Sequence, residues 1–113
     1  MSYDQFVANS WMGGQGETDL AVATLGLVGE SGEVAEKIKK QLRGDPAHNP
    51  ENWEDQQTRN KEVIKELGDV VFYVAWLAAY HGATLGDVID ANMEKLTKRY
   101  SDNGTLRGDG DNR

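Results

Sequence analysis

Gly29-Glu30-Ser31-Gly32-Glu33, together with Glu66-Leu67-Gly68-Asp69, decides how this chain folds. Each stretch lies inside a long helix-forming run and places two carboxylates three residues apart, on one face of the helix. Apolar residues flank both stretches, and carboxylates are rarely buried unless something compensates their charge. If the two helices pack together, four acidic side chains meet at one place: Glu30, Glu33, Glu66 and Asp69.

Four converging carboxylates predict a cation site. At a separation of about 4 Å and an effective dielectric constant of about 20, each pair of like charges repels by roughly 4 kcal/mol. A divalent cation with oxygen ligands, such as Mg²⁺, removes this repulsion. Glu-x-x-Glu also occurs on solvated helix faces, but two acidic pairs inside apolar runs favour the metal site. Gly32 and Gly68 indicate either that a backbone or ligand comes close or that the helices are flexible there, because a glycine inside a helix costs about 1 kcal/mol relative to alanine.

Length, charge and cysteine content narrow the class of protein. The chain has 113 residues, which predicts a single domain, 1–113, that finishes burying its apolar surface by oligomerising. A formal net charge of −7 argues against nucleic-acid binding. The absence of cysteine excludes a disulfide framework and a thiolate metal site. With no recognisable signal peptide and no apolar run long enough to span a membrane, we expect a cytoplasmic protein.

Apolar periodicity predicts an all-α fold of four to five helices, because no segment alternates with a period of two. A capping box at Ser2 opens a short first helix that ends near Trp11. The second runs from Thr18 or Asp19 to Arg43, before Gly44, and the third from Asn60 to Tyr80. Pro50 suits a first helical turn, so the polar segment 51–58 is also predicted to be helical. Thr84 opens the fourth helix, which ends near Tyr100, and residues 101–113 form an irregular tail.

Cationic and amide side chains near the acidic stretches have two interpretations. Lys37 and Lys40 lie on the same helical face as the first acidic pair and could reach phosphates beyond a metal. Ordinary pairs with Glu33 and Glu36 at a spacing of four explain them more simply. On the fourth helix, Asn92, Lys95 and Arg99 form a polar stripe, which a solvated face explains equally well. Trp11, beside the glycine-rich break, is either a core residue or a stacking platform.

These motifs resemble those of the MazG-like nucleotide pyrophosphohydrolases, part of the all-α NTP pyrophosphatase group. The match lies in Gly26-Leu27-Val28-Gly29-Glu30-Ser31-Gly32-Glu33-Val34-Ala35-Glu36 and in Lys65-Glu66-Leu67-Gly68-Asp69-Val70. Residues 92–99 and 108–113 are also similar to the small single-domain members, so the resemblance covers nearly the whole chain. Two features depart from the family pattern. Many relatives have consecutive acids where this chain has Gly29-Glu30, and residues 44–60 lengthen the stretch between the acidic pairs.

The resemblance implies cleavage of a nucleoside triphosphate between its α and β phosphates, giving the monophosphate and pyrophosphate. It implies that Mg²⁺, with Mn²⁺ as a substitute, is held by Glu30, Glu33, Glu66 and Asp69. Glu33 or Glu36 would activate the attacking water. The candidate substrate-binding residues are Asn92, Lys95 and Arg99 with Lys37 for the phosphate chain, and Asn9 to Trp11 near the base. Family members form dimers or tetramers, and we expect a homotetramer here.

Two other classes of protein compete with this interpretation. A di-iron carboxylate bundle needs two Glu-x-x-His motifs. Asp45 and Ala78 precede the histidines at the required spacing, so this class is excluded. The second alternative is a helical oligomerisation or regulatory module that has kept the fold and lost the chemistry. The preferred base and sugar, the number of metal ions, and the choice between dimer and tetramer stay open.

Overall fold

The computed structural model describes residues 1–43 and 53–103, with side chains described for residues 1–43 and 56–102. Within those residues the chain forms four helices and no strand, which confirms the predicted all-α fold. They are α1 (Tyr3–Ser10), α2 (Glu17–Arg43), α3 (Trp53–Tyr80) and α4 (Leu85–Asn103). Residues 45–50, whose two prolines predict a loop, and most of the predicted tail lie outside the described residues. None of these four helices is both long and apolar enough to cross a membrane.

Reciprocal capping boxes start two of the helices where the sequence predicts them. The Ser2 hydroxyl accepts the Gln5 amide and the Gln5 side chain accepts the Ser2 amide, both at 3.1 Å. At the start of α4, the Asp87 carboxylate accepts the Thr84 amide at 2.9 Å, while the Thr84 hydroxyl accepts the Asp87 amide at 3.1 Å. Each box satisfies backbone donors that have no partner inside the helix. Gly82, with φ of +79°, reverses the chain between α3 and α4.

Three helix ends differ from the prediction. Helix α2 begins at Glu17, and Asp19 lies inside its first turn, where its carboxylate accepts the Gly16 amide at 3.1 Å. Helix α3 begins at Trp53, so the predicted helical segment 51–58 is helical from residue 53 onward and is continuous with the helix predicted from Asn60, because the intervening polar residues include good helix formers. Helix α4 continues to Asn103, so the first residues of the predicted irregular tail are helical.

Helices α2 and α3 make the most extensive interhelical contact of the described residues. They run antiparallel, since Gly26 lies against Tyr73 and Lys37, further along α2, pairs with Glu62, earlier in α3. We call this interface the α2–α3 seam. The contacts that define it join Gly26 to Tyr73, Glu30 to Glu66 and Asp69, and Lys37 to Glu62, and Ala23 and Trp76 share the buried core. Within each helix these residues are three, four or seven apart, which keeps them on one helical face. Lys40 on α2 and Arg59 on α3 continue the same spacing. A Cβ atom on Gly26 would overlap the ring of Tyr73, so this glycine permits the close approach.

The apolar core lies at one end of the seam. Val7, Ala23, Ala75 and Trp76 are its buried residues. Helix α1 covers this end and is tied to α4 by Asp4, whose carboxylate accepts the Leu85 amide at 2.9 Å. The other end of the seam carries charged residues, so the packing interface changes from apolar to polar along its length.

Several large apolar side chains stay exposed on the helices. Leu25 and Val28 of α2 are 71% and 67% exposed, and Ile64 of α3 is 65% exposed. Beside them, a Cβ added at Gly32 or Gly68 would meet nothing within 4 Å in the chain as described. The close approach that these glycines suggested is therefore not made by the chain's own helices.

Candidate functional site

Three carboxylates meet in the middle of the α2–α3 seam. Glu30 projects from α2, and Glu66 and Asp69 project from successive turns of α3. One carboxylate oxygen from each lies within 4.8 Å of the others, a spacing at which one cation can contact all three. We call these residues the acidic cluster. Their arrangement follows from the antiparallel packing, which brings two helical acid pairs to the same level.

Burial and neighbouring charge raise the pKa of Glu30 above its ordinary value. Desolvation is the largest cause, followed by the negative charges of Asp69 and Glu66, a hydrogen bond with Glu66, and the charge of Glu33. Each of these favours the protonated carboxyl group. A cation held by the cluster would reverse this preference, because it compensates the charge that makes ionisation costly.

The two acids predicted to activate the attacking water, Glu33 and Glu36, lie outside this cluster. Glu33, one turn beyond Glu30, is exposed and acts on Glu30 only through its charge. Glu36 is half-buried, and its carboxylate lies 3.7 Å from the ammonium group of Lys39. The structure thus groups three of the four predicted metal ligands and leaves Glu33 at the edge.

Lys37 makes an ion pair across the seam. Its ammonium nitrogen lies 3.9 Å from Glu62 of α3. The sequence favoured pairs within α2, Glu33 with Lys37 and Glu36 with Lys40. That prediction is wrong because the partner helix offers a facing acid at the same level of the seam, while Glu36 lies beside Lys39.

An aromatic pocket of about 80 Å³ lies at the apolar end of the seam. Its lining residues are Asp4, Val7, Ala8, Trp11, Gly13, Gly14, Gln15, Trp76, Ala79 and Tyr80. The Trp11 and Trp76 rings are 4.6 Å apart between centroids, and Tyr80 stacks on Trp76 at 5.6 Å. Trp11 therefore both packs against the core and lines the pocket. Asn9, predicted beside it, is exposed, contacts Met1 and is absent from this lining.

Asp19 organises the entrance loop of the aromatic pocket. Its carboxylate accepts the indole N–H of Trp11 at 3.2 Å as well as the Gly16 amide. A Cβ atom on Gly13 would overlap this carboxylate, so a larger residue there would displace the Asp19 side chain from these hydrogen bonds. The glycine-rich break between α1 and α2 is thus fixed against the start of α2.

Comparison with known proteins shows which family the chain belongs to. The profile of the MazG nucleotide pyrophosphohydrolase domain matches residues 19–103, which contain the whole acidic cluster. The chain belongs to the MazG nucleotide pyrophosphohydrolase family. Gene 37 protein of Mycobacterium phage L5 is 44% identical over 105 residues, covering 88% of this chain and 85% of that protein. Uncharacterized protein YvdC of Bacillus subtilis (strain 168) is 39% identical over 75 residues, covering 66% of this chain and 69% of that protein. No solved structure matches.

The polar stripe of this MazG domain lies on α4, whereas the acidic cluster is carried by α2 and α3. Asn92 and Lys95 are exposed on α4, whereas Arg99 is buried. Helix α4 contacts α3, but its contact is much smaller than that between α2 and α3. Among the described residues, Asn92 borders a surface groove on α4 with Met93, Leu96, Thr97 and Tyr100.

Tyr3 is a neighbour of the cluster that the sequence did not reveal. Burial, and then the negative charge of Asp69, raise the pKa of its phenol above the ordinary value. The tyrosine comes from α1, far from Asp69 in sequence, and no spacing rule connects the two. Only the docking of α1 on the seam brings its hydroxyl group toward the carboxylates.

The acidic cluster fits a hard divalent cation. Its donors are carboxylate oxygens, which Mg²⁺ prefers, and they come from rigid helices. The raised pKa of Glu30 is the response expected of acids placed together without a compensating charge. This MazG domain therefore combines a cluster able to bind metal with family membership that implies a nucleotide substrate.

Proposed function

We propose that this protein is a Mg²⁺-dependent nucleoside triphosphate pyrophosphohydrolase, which cleaves an NTP or dNTP to the monophosphate and pyrophosphate. The observation that carries the proposal is the acidic cluster, three carboxylates within 4.8 Å of one another. The MazG profile over residues 19–103 supports the same chemistry. Because nucleoside triphosphates are soluble metabolites of the cytoplasm, we propose that the protein acts there.

The proposed metal ligands are Glu30, Glu66 and Asp69, with Glu33 beside them. When bound, Mg²⁺ neutralises charge on the phosphate oxygens and orients the phosphate chain; Mn²⁺ would substitute. A carboxylate takes the proton of the attacking water as its oxygen bonds to phosphorus. The bond between the α-phosphate and its bridging oxygen breaks, and pyrophosphate leaves. Glu33 is the better base than Glu36, because it adjoins the cluster and Glu36 faces Lys39.

The base of the nucleotide would occupy the aromatic pocket. Tyr80 and Trp11 offer ring faces, and stacking of a base on an aromatic side chain contributes about 1–3 kcal/mol. Asp4 and Gln15 supply polar groups at its wall. The seam joins this pocket to the acidic cluster, so base and phosphates would lie along one groove.

We also propose that the active form is a homo-oligomer, a tetramer. The exposed apolar residues Leu25, Val28 and Ile64 support this, since they lie on the helices that carry the acids. A neighbouring copy would also bring the polar stripe of its α4, Asn92, Lys95 and Arg99, to the acidic cluster. Light scattering at micromolar concentrations should return a multiple of the monomer mass, and a monomer that keeps full activity would contradict this assembly.

The direct test is a panel of NTPs and dNTPs with Mg²⁺, scored for pyrophosphate release. Glu66→Gln should lose activity by orders of magnitude, because it removes a ligand charge. Glu94→Gln is the matched control, an exposed acid on α4 outside the cluster. Release of orthophosphate, or full activity in excess chelator, would refute the proposal. Folded protein that turns over no member of the panel would favour the silent-module alternative.

A further inference from the structure

The charged end of the seam holds a buried arginine with unmet hydrogen bonds. Arg59 is only 7% exposed, and neither its Nε nor its Nη2 atom has a hydrogen-bond partner in the described part of the chain. A guanidinium group does not lose its proton in proteins. Burying a charged group whose donors lack partners destabilises the folded state. A group that is buried, charged and unsatisfied indicates a position prepared for an anion.

The register of the seam places a second cation opposite Arg59. Gly26 lies against Tyr73, and Lys37 pairs with Glu62. Moving along α2 toward its end therefore corresponds, residue for residue, to moving along α3 toward its start. Three residues further on α2 is Lys40, and three residues back on α3 is Arg59. Lys40 is half-buried, which agrees with a position at the interface.

Arg59 shares its helical face with the acidic cluster. Glu62 and Glu66 follow it at spacings of three and four, so the three side chains form a row. Arg59 lies seven residues before Glu66, about 10 Å along the helix axis at about 1.5 Å per residue. Charge along the seam thus changes from the acids, through the Lys37–Glu62 pair, to two cations. A metal–oligophosphate complex has the same polarity, a cation at one end and phosphate oxygens beyond it.

We propose that Arg59 and Lys40 form an anion site that holds the two phosphates leaving as pyrophosphate. The inference rests on the proposed function for the identity of the anion. Arginine suits this role because its planar group binds phosphate oxygens through two parallel hydrogen bonds. The site also explains why this charge is buried: the anion supplies the partners that the Nε and Nη2 atoms of Arg59 do not find among the described residues.

Binding of inorganic pyrophosphate, measured by calorimetry without any nucleotide, tests the site. Arg59→Met should weaken binding by at least about tenfold, equivalent to about 1.4 kcal/mol, and Lys40→Met should weaken it in the same direction. Lys61→Met is the matched control, an exposed cation two residues from Arg59, and should bind like the parent. Mn²⁺ affinity without pyrophosphate should be the same in all four proteins, because the acidic cluster is untouched.

Thermal melts separate an anion site from a structural role. Without pyrophosphate, Arg59→Met should melt at the parent's temperature or above it, because the variant removes an unsatisfied buried charge. Pyrophosphate should raise the melting temperature of the parent and of Lys61→Met, and leave Arg59→Met unchanged.

Pyrophosphate affinity within twofold of the parent in Arg59→Met would overturn the inference. If that variant does not fold, unchanged affinity in Lys40→Met would overturn it. Because the binding assay needs no turnover, its result is independent of the nucleotide panel. If the enzyme is active and Arg59→Met binds pyrophosphate like the parent, only this site is refuted. If Arg59→Met loses pyrophosphate binding, the site is supported even if no nucleotide of the panel is cleaved.

Discussion

Replacing Asp69 by asparagine separates a metal ligand from an ordinary surface acid, because the change removes a charge and keeps the shape. Asp69 lies within 4.8 Å of both Glu30 and Glu66. At that distance two like charges repel by about 3.5 kcal/mol at an effective dielectric constant of about 20, and by about 0.9 kcal/mol in water. Asp69 is exposed, so the lower figure applies. The raised pKa of Glu30 favours its protonated form, which carries no charge and so reduces this repulsion.

We therefore expect Asp69→Asn to stabilise the metal-free protein by about 1 kcal/mol, which raises the melting temperature of a domain of this size by about 4 °C. The response to metal should change in the opposite direction. Mg²⁺ at a hundred times its dissociation constant stabilises the parent by about 2.7 kcal/mol. In the variant most of this gain should disappear, and activity should fall by orders of magnitude.

The assay is a thermal melt with and without Mg²⁺, next to initial rates of pyrophosphate release. Asp90→Asn is the control, an exposed aspartate on α4 outside the cluster, and should match the parent in all three measurements. If Asp69→Asn keeps the parent's rate, or its melting temperature rises with Mg²⁺ as much as the parent's, Asp69 is not a ligand and the acidic cluster is not a metal centre. A drop in metal-free stability would instead assign Asp69 to a structural hydrogen bond.

Three further predictions concern the cluster, the seam and the pocket. The pKa of Glu30 is higher in the native state than in the unfolded chain, so the native state binds protons that the unfolded chain has already released. The stability of the metal-free protein should therefore fall as the pH rises from the ordinary glutamate range through this raised pKa. Glu30→Gln should flatten this fall in pH-dependent melts. Equal slopes in the two proteins would contradict the assignment. Gly26→Ala should lower the free energy of unfolding in urea by about 1–3 kcal/mol, because the new Cβ overlaps Tyr73. Gly32→Ala, with open space around it, should raise the free energy of unfolding by up to about 1 kcal/mol. A loss at Gly32 that depends on protein concentration would mean that another copy packs there. Tyr80→Leu should raise KM more than it lowers kcat, while Tyr100→Leu, outside the pocket, should change neither; similar kinetics in both variants would remove the base from the aromatic pocket.

Local rules made the helices and the acidic motif predictable. The capping boxes at Ser2 and Thr84 involve residues three apart, so their geometry follows from the sequence. The same is true of Glu66 and Asp69, which share a helical face whatever surrounds them. The helix ends without a box, such as the start of α3 and the end of α4, were less predictable because polar helix formers continue a helix without marking its limit.

Across the helices, only the tertiary structure decided which residues meet. A spacing of three or four fixes a face, but the partner on that face depends on the register between helices, which the contact of Gly26 with Tyr73 and the core around Trp76 set here. In that register Lys37 pairs with Glu62 rather than with Glu33. Arg59 is buried there, and its Nε and Nη2 atoms have no hydrogen-bond partner among the described residues. Tyr3 reaches the neighbourhood of Asp69 for the same reason: the docking of α1 is a long-range packing event, and no local pattern in the sequence encodes it.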